Sequence, residues 1–506
     1  MKRFIFSIAF LFFSVAFFAL PPSKREFRGA WVQVIGQNQY AGMTPQQMRR
    51  YFATMLDSLE TLNINALIFQ VRPSADAFYP SQLEPWSRYL TGVQGKAPDD
   101  GFDPLAFLVA EAHKRNMEFH AWLNPYRVTA SESETLTKTH IYYRYPERFV
   151  KYGKQIFFNP GLPENRQFIC DVVRDIVSRY DIDAIHLDDY FYPYPIAGEK
   201  FDDAASFRKY APIQGFEKSP IEFWRRNNVN LLIEQIKNTI ILTKPWVRFG
   251  VSPFGIYRNK TSTVDGSGSN TGGLQNYDDL YADILLWMQK GWIDYCVPQL
   301  YWQIGHPKAD YETLVRWWGQ NTYGCHTYIG QDAANAVQTQ DLQNSCANQL
   351  PAKMQLERET QPLEGNCWWS AYTLLNNTGG IADSLRNNYQ RYQALIPAFT
   401  NLHNKRPKDV KSLKVGPFES GYLLYWKRNG DPANPEKAQY YVIYCFRENE
   451  KTNLDNPARI VAITRNTTFY IHPVLGPGKY KFVVTSVDRF HNESKKGKTK
   501  KIKMNF

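Results

Sequence analysis

Between residues 30 and 372 of this 506-residue chain, short apolar segments alternate with longer stretches whose apolar residues recur at helical spacing. Strand followed by helix, repeated, is the pattern of a parallel sheet whose connections cross over through helices. The segments fall at residues 30–34, 66–72, 118–124, 184–188, 248–252, 295–301, 326–332 and 366–372. Eight such units that close on themselves predict a (β/α)8 TIM barrel, an α/β fold. The intervening helices carry their own signals. Thr44 precedes Pro45 as an N-cap before a first-turn proline, and Met48, Tyr51, Phe52, Met55, Leu56 and Leu59 then follow one helical face. Ser219 and Pro220 open a second, longer helix.

Two long connections lack a period. Residues 73–103 are expected to form a binding loop or lid, and the Gly-, Ser-, Thr- and Asn-rich residues 259–274 a mobile or disordered rim. Beyond about residue 401 the helical period disappears. Alternating strands at 411–415, 421–426, 440–445, 458–463, 468–471 and 479–488 predict a small all-β sandwich. The expected division is therefore a signal peptide over residues 1–19, a barrel over 20–400 and a sandwich over 401–506.

Alternation with period two also predicts which strand residues look into the barrel. In the fourth strand Ile185 and Leu187 share one face, and His186 and Asp188 the other. That strand ends in Asp188 and Asp189, followed by Tyr190, Phe191 and Tyr192. A carboxylate at the carboxyl end of a parallel strand is where α/β barrels place catalytic groups. A pair of Asp residues can also simply cap a turn, a reading that stays open for Asp189. The same test puts Trp31 and Gln33 inward on strand one, Gln70 and Arg72 on strand two, and His120, Trp122 and Asn124 on strand three. It puts Ser252 inward on strand five, Gln299 and Tyr301 on strand six, Asp332 on strand seven, and Trp368, Ser370 and Tyr372 on strand eight. So many polar groups at a barrel mouth need partners or a ligand. Arg72 and Asp188 are expected to answer each other's charge, which would lower the Asp pKa.

The residue inventory narrows the chemistry. No HxH pair suits a metal-dependent hydrolase, and there is no GxSxG elbow or phosphate-binding loop, so no metal and no cofactor is expected. Carboxylates remain: Asp188 as first choice, Asp332 across the barrel as its partner, then Asp189, with Asp76 and Glu84 on the long second loop as substitutes. Glycoside hydrolysis needs two carboxyl groups at the scissile bond, one protonated and one ionised. Aromatic residues make up 15% of the chain, and their faces suit pyranose rings. Candidate sugar contacts are Arg72, His120, Trp122, Asn124, Tyr126 and Arg127, together with His186, Tyr190, Gln299, Tyr301, Trp302 and Trp368.

Several motifs resemble the glycosyl hydrolase-like 10 family, formerly a domain of unknown function, which includes bacterial envelope glycosidases acting on peptidoglycan glycan strands. They are residues 27–32 (FRGAWV), 72–81 (RPSADAFYPS), 84–87 (EPWS), 90–92 (LTG), 120–127 (HAWLNPYR), 184–193, 252–255 (SPFG), 298–302 (PQLYW) and 368–372. The resemblance spans most of residues 27–395 and implies a barrel of glycosidase ancestry. The strands around Trp426, 440–446 and 480–489 resemble a fibronectin type III module. The expected activity is hydrolysis of a cell-wall glycan or related polysaccharide, the alternative a glycan-binding scaffold without catalysis.

Lys2 and Arg3 precede an apolar run over residues 4–18, the pattern of a cleaved secretory signal. The expectation is a periplasmic or secreted protein with no retained membrane anchor. Six cysteines show no CxxC spacing, and one disulfide among Cys325, Cys346 and Cys367 and buried free thiols are equally open. The net charge is +12, with Lys495, Lys496, Lys498, Lys500, Lys501 and Lys503 clustered at the tail. We read that cluster as a solvated strand and its end, with attraction to an anionic envelope polymer as the alternative and no nucleic-acid partner expected.

Overall fold

The structure, a computed structural model, describes residues 22–340 and 346–505. The expected signal segment, residues 1–19, lies outside the described residues. Eight parallel strands close into a (β/α)8 barrel in simple sequence order. They are Phe27–Val32, Ala66–Arg72, Glu118–Leu123, Ala184–Leu187, Arg248–Val251, Tyr295–Cys296, a seventh strand, and Gly365–Trp369. The eighth strand pairs with the first through Phe27 and Gly365, closing the ring. The seventh is written in two pieces, His326–Thr327 and Ile329–Asp332, because the ladder breaks at Tyr328. The sixth is shorter than its sequence suggests, since Pro298 has no N–H to continue the ladder and pairing resumes as single bridges from Gln299 to Phe254 and to Gly330.

The outer helices bury one face each. In Pro45–Glu60, Thr44 accepts from the Gln47 backbone N–H while the Gln47 side chain accepts from Thr44 N–H, and Met48, Phe52, Met55, Leu56 and Leu59 face the barrel. The large core lies between strands and helices. A second apolar cluster, with Phe27, Ile68, Trp122 and Tyr295, fills the barrel interior.

Two connections differ from their sequence patterns. Residues 73–103 do not form an open lid: Ala75, Asp76, Ala77, Phe78 and Tyr79 are all fully buried, and a bridge joins Ala77 to Trp86. The loop is apolar enough to pack as part of the barrel's upper layer. After the third strand an antiparallel hairpin, Phe149–Tyr152 with Gln155–Phe158, stands where no strand is expected. Its strands of four residues are too short to show a period. Residues 259–274 form a defined loop, with Asn259 bridged to Ser269.

Past the barrel lie two antiparallel sheets, one of three strands and one of four. Leu424, Trp426, Tyr441, Ile443, Phe482 and Val484 pack between them. The lysine-rich tail forms the edge strand Lys498–Met504, in which alternate lysines face solvent. This unit closes the amino-terminal end of the barrel. His491 reaches Glu118 and the Arg248 guanidinium, each at 2.7 Å, and Arg489 pairs with Asp181 at 2.8 Å. Cys170, Cys296, Cys325, Cys367 and Cys445 are free thiols, so Cys325 and Cys367 do not pair; the Cys346 side chain lies outside the described residues.

Candidate active site

At the carboxyl ends of the strands a cavity of about 270 Å³ opens. Asp188 and Asp189 are the carboxylates that line it, both 3% exposed. The fourth strand ends at Leu187, so the chain turns just there and both side chains reach the cavity despite being neighbours in sequence. Most of the remaining lining is aromatic. Trp369 meets Trp31 and Trp122 edge to face and stacks on Tyr301, with ring centres 6.3 Å apart in the stacked pair. Phe254 and Trp302 form another edge-to-face pair at 5.3 Å.

Asp188 is held by N–H donors alone. The Trp122 indole donates to Oδ2 at 3.1 Å, the Asn124 amide donates to both oxygens at 3.1 Å, and the Tyr190 backbone donates to Oδ1 at 3.3 Å. An ionised carboxylate is acceptor-only, so this shell suits the anion. Burial raises the Asp188 pKa, and Arg127 with these donors opposes the rise. Asp189 differs. Burial and then the charge of Asp188 push it up to about 7, while the Tyr194 hydroxyl, in contact with its Oδ2, pulls it down. Both carboxyl groups are raised by burial, but their surroundings differ: N–H donors that favour the anion at Asp188, a like charge beside Asp189, the kind of contrast that separates an acid from an ionised partner.

Beneath the cavity a hydrogen-bonded column runs down the barrel axis. Trp31 Nε1 can only donate, so His186 Nε2, 3.2 Å away, is an acceptor. His186 Nδ1 then donates to the Tyr295 hydroxyl at 3.0 Å, and that hydroxyl donates to His120 Nδ1 at 2.8 Å. His120 Nε2 meets Glu118 at 3.0 Å. Burial, with His120 second, holds the His186 pKa well below that of free imidazole, so the ring is neutral. Ser252 also touches His186 Nε2, at 2.9 Å.

Among the residues expected at the site, Asp188, Asp189, Trp122, Tyr190, Gln299, Tyr301 and Trp302 line the cavity. Asn124 stands behind Asp188. The others lie elsewhere. Arg72 does not answer Asp188: its guanidinium is paired with Glu84 at 2.7 and 2.5 Å, both side chains fully buried. Arg127, whose ring contact is Tyr190 at 5.2 Å, supplies the cation nearest in effect to Asp188. Asp76 is buried behind the wall, accepting from Gln94 at 3.1 Å, with a pKa raised by burial to about 7. Asp332 caps the short helix Ala333–Val337 by accepting from Asn335 N–H at 2.8 Å, and does not line the cavity. His120 and His186 belong to the axial column, and Tyr126 is buried in the core between barrel and helices. On the eighth strand it is Trp369 that faces the cavity, while Trp368 packs under the helices. Tyr194, Trp369 and Phe254 are cavity residues that sequence reasoning did not single out. For Tyr194 the only available signal was the aromatic run continuing past Tyr192.

A closed eight-stranded barrel with a carboxylate pair in an aromatic cleft at its carboxyl face defines a glycosidase-type enzyme. Residues 26–346 match the description "Glycosyl hydrolase-like 10". The chain is 41% identical over 497 residues to "Glycosyl hydrolase YngK" of Bacillus subtilis, covering 96% of this chain and 95% of that one. It is 36% identical over 330 residues to "Glycosyl hydrolase DigH" of Escherichia coli, covering 61% and 73%. The chain belongs to the glycosyl hydrolase-like 10 family and is a glycoside hydrolase. Among solved structures, the PgaB (BpsB) glycoside hydrolase domain from Bordetella bronchiseptica aligns with a TM-score of 0.46 at 12% identity, over 71% of this chain and 98% of that one.

Proposed function

We propose that this enzyme is exported and hydrolyses the glycan strands of bacterial peptidoglycan, with Asp189 as general acid and Asp188 as its ionised partner. The observation that carries the reading is the split environment of the pair. Asp188 sits in a shell of N–H donors, and Asp189, raised to about 7, shares a hydroxyl with Tyr194. A protonated Asp189 can deliver its proton to the glycosidic oxygen, while Trp302, Tyr301 and Trp369 offer ring faces to successive sugars. Export rests on the basic start and apolar run of residues 2–18. The carboxyl-terminal sheets are in this reading a fibronectin type III-like module over residues 401–506, which closes the barrel's far end and carries no chemistry. The test is incubation of the mature protein with purified sacculi, with and without stem peptides, followed by product mass analysis. New reducing ends support the reading, and Asp188→Asn should abolish them while glycan binding persists. Anhydro ends would instead identify a lytic transglycosylase.

A further inference from the structure

We propose that the nucleophile is supplied by the substrate, as the carbonyl oxygen of a 2-acetamido group on the sugar being transferred, so that the site is selective for N-acetylhexosaminides. The inference rests on the assignment of Asp188 and Asp189 and goes one step beyond it.

A glycosidase that forms a covalent intermediate places a carboxylate about 5 Å from its acid, across the sugar ring, and one that uses water directly needs roughly 6.5–9.5 Å. Asp188 and Asp189 are consecutive residues at the end of one strand, and consecutive Cα atoms are about 3.8 Å apart. Both follow the end of the fourth strand and enter the cavity from that one side of the barrel mouth. The rest of the lining includes Gln299, Tyr301 and Trp302 from the segment after the sixth strand and Trp369 from the eighth strand, none of them a carboxylate. The other acids considered are committed elsewhere. Asp332 caps a helix, Glu84 is locked to Arg72, and Asp76 is fully buried. The Tyr301 phenol cannot substitute, because burial and the nearby Asp189 charge hold its pKa well above the usual value and keep it protonated. Among the described residues the cavity therefore holds an acid and an anion, side by side, and no further carboxylate facing them.

An acetamide completes the chemistry. Asp189 gives its proton to the glycosidic oxygen as the C1–O bond to the leaving sugar breaks. The acetamide carbonyl oxygen forms a new bond to C1, and the resulting oxazolinium carries its positive charge on the ring N–H. Asp188 is the group suited to receive that N–H. Its two oxygens already accept four N–H contacts, one from Trp122, two from Asn124 and one from the Tyr190 backbone, and the charged oxazolinium N–H displaces the longest of them, the 3.3 Å bond from Tyr190. Water then attacks C1 from the face the leaving group vacated and passes a proton to Asp189. The C1–O bond to the acetamide breaks, the acetamide is regenerated, and the anomeric configuration is retained.

The test compares substrates on the unaltered protein. Glycan strands freed of peptides are de-N-acetylated chemically, then re-acylated with either acetyl or trifluoroacetyl groups; N-acetyl chito-oligosaccharides and their 2-hydroxyl counterparts, cello-oligosaccharides, serve as a second pair. The proposal expects acetyl strands to be cleaved at least about a hundredfold faster than trifluoroacetyl strands, because fluorine weakens the carbonyl nucleophile. It also expects retention at C1 by NMR of the first product and no cleavage of the 2-hydroxyl oligomer. Equal rates on the two strand types, an inverted product, or a glycosyl ester trapped on the protein would overturn it. Cleavage of N-acetyl oligosaccharides but not of re-acetylated strands keeps this proposal and overturns the peptidoglycan reading. Failure to cleave any N-acetylated substrate overturns both.

Discussion

Replacing Glu84 by Gln should destabilise the barrel and weaken catalysis together. Arg72 and Glu84 have fully buried side chains joined by two hydrogen bonds, at 2.7 and 2.5 Å. The Arg72 guanidinium also donates to the Asn124 and Pro125 carbonyls. Glutamine keeps the shape but removes the charge, leaving an uncompensated buried cation, a change that costs about 3–5 kcal/mol. For a barrel this large, roughly 1–2 °C of Tm accompanies each kcal/mol, so a fall of about 3–10 °C is expected. The site should feel the same change, because the Asn124 amide that Arg72 braces is a principal donor to Asp188. Losing a hydrogen bond to a charged group costs about 1.5–3 kcal/mol. That corresponds to roughly a tenfold to hundredfold fall in kcat/KM. The control is Arg72→Met combined with Glu84→Leu, which removes both charges and should be less destabilised than the sum of its single changes, short of full recovery because two carbonyls lose their donor. Thermal unfolding and glycan-release kinetics on the wild type, Arg72→Met, Glu84→Leu and the double change make the cycle, with Glu84→Gln measured beside them. A loss below about 1 kcal/mol for Glu84→Gln, or additive single changes, would refute the claim that this pair is a desolvated brace for Asn124.

Four further outcomes follow from the site's electrostatics. Asp189→Asn should abolish hydrolysis of unactivated glycans but spare substrates with good leaving groups, measured as the ratio of the two rates, since only the former need the proton. With Asp189 titrating at about 7, kcat/KM should fall as pH rises above 7; because the Tyr194 hydroxyl lowers that pKa, Tyr194→Phe should move the falling limb to higher pH. Trp122→Phe removes one donor from Asp188 while keeping a ring, and should lower kcat/KM by roughly fivefold to hundredfold with a smaller change in glycan binding. Stability should fall between pH 6.5 and 8. Burial raises Asp76 and Asp189 to about 7 and Glu357 to about 8, so the stability each contributes when protonated is complete at low pH and lost as pH rises through those values. His140, lowered to about 4 by burial, acts in the opposite sense, but its slope is already halved at about pH 6.5, where the unfolded imidazole is half neutral, and is gone by about pH 7.5, so it offsets only the start of the fall. Tm measured across that window should drop, and Asp189→Asn should flatten the slope.

How much of this was legible in the sequence depends on where contrast survives between neighbouring residues. Strands three and four alternate polar with apolar, so His120, Trp122, His186 and Asp188 could be placed on the inner face from spacing alone, and they lie there. The eighth strand offers no such contrast: its inner set is Gly365, Cys367 and Trp369, its outer set Asn366 and Trp368, and two adjacent tryptophans cannot be told apart by period. Charge pairing was still less accessible. Arg72 and Glu84 are partners because the second loop folds back over the barrel, and a loop of residues 73–103 has no period from which that return could be read. The same holds for Asp332, whose inward register is real but whose carboxylate is taken by the Asn335 N–H in the first turn of the helix that begins one residue later. A strand-end acid followed at once by a helix is thus a poorer candidate for chemistry than one followed by a turn. Asp188 and Asp189 meet the second condition, since Tyr190 to Pro193 continue as irregular chain with no helix to cap. Freedom from a helix-capping role leaves both carboxylates available to the cavity, and it is their adjacency, visible in the sequence from the start, that places the missing nucleophile on the substrate.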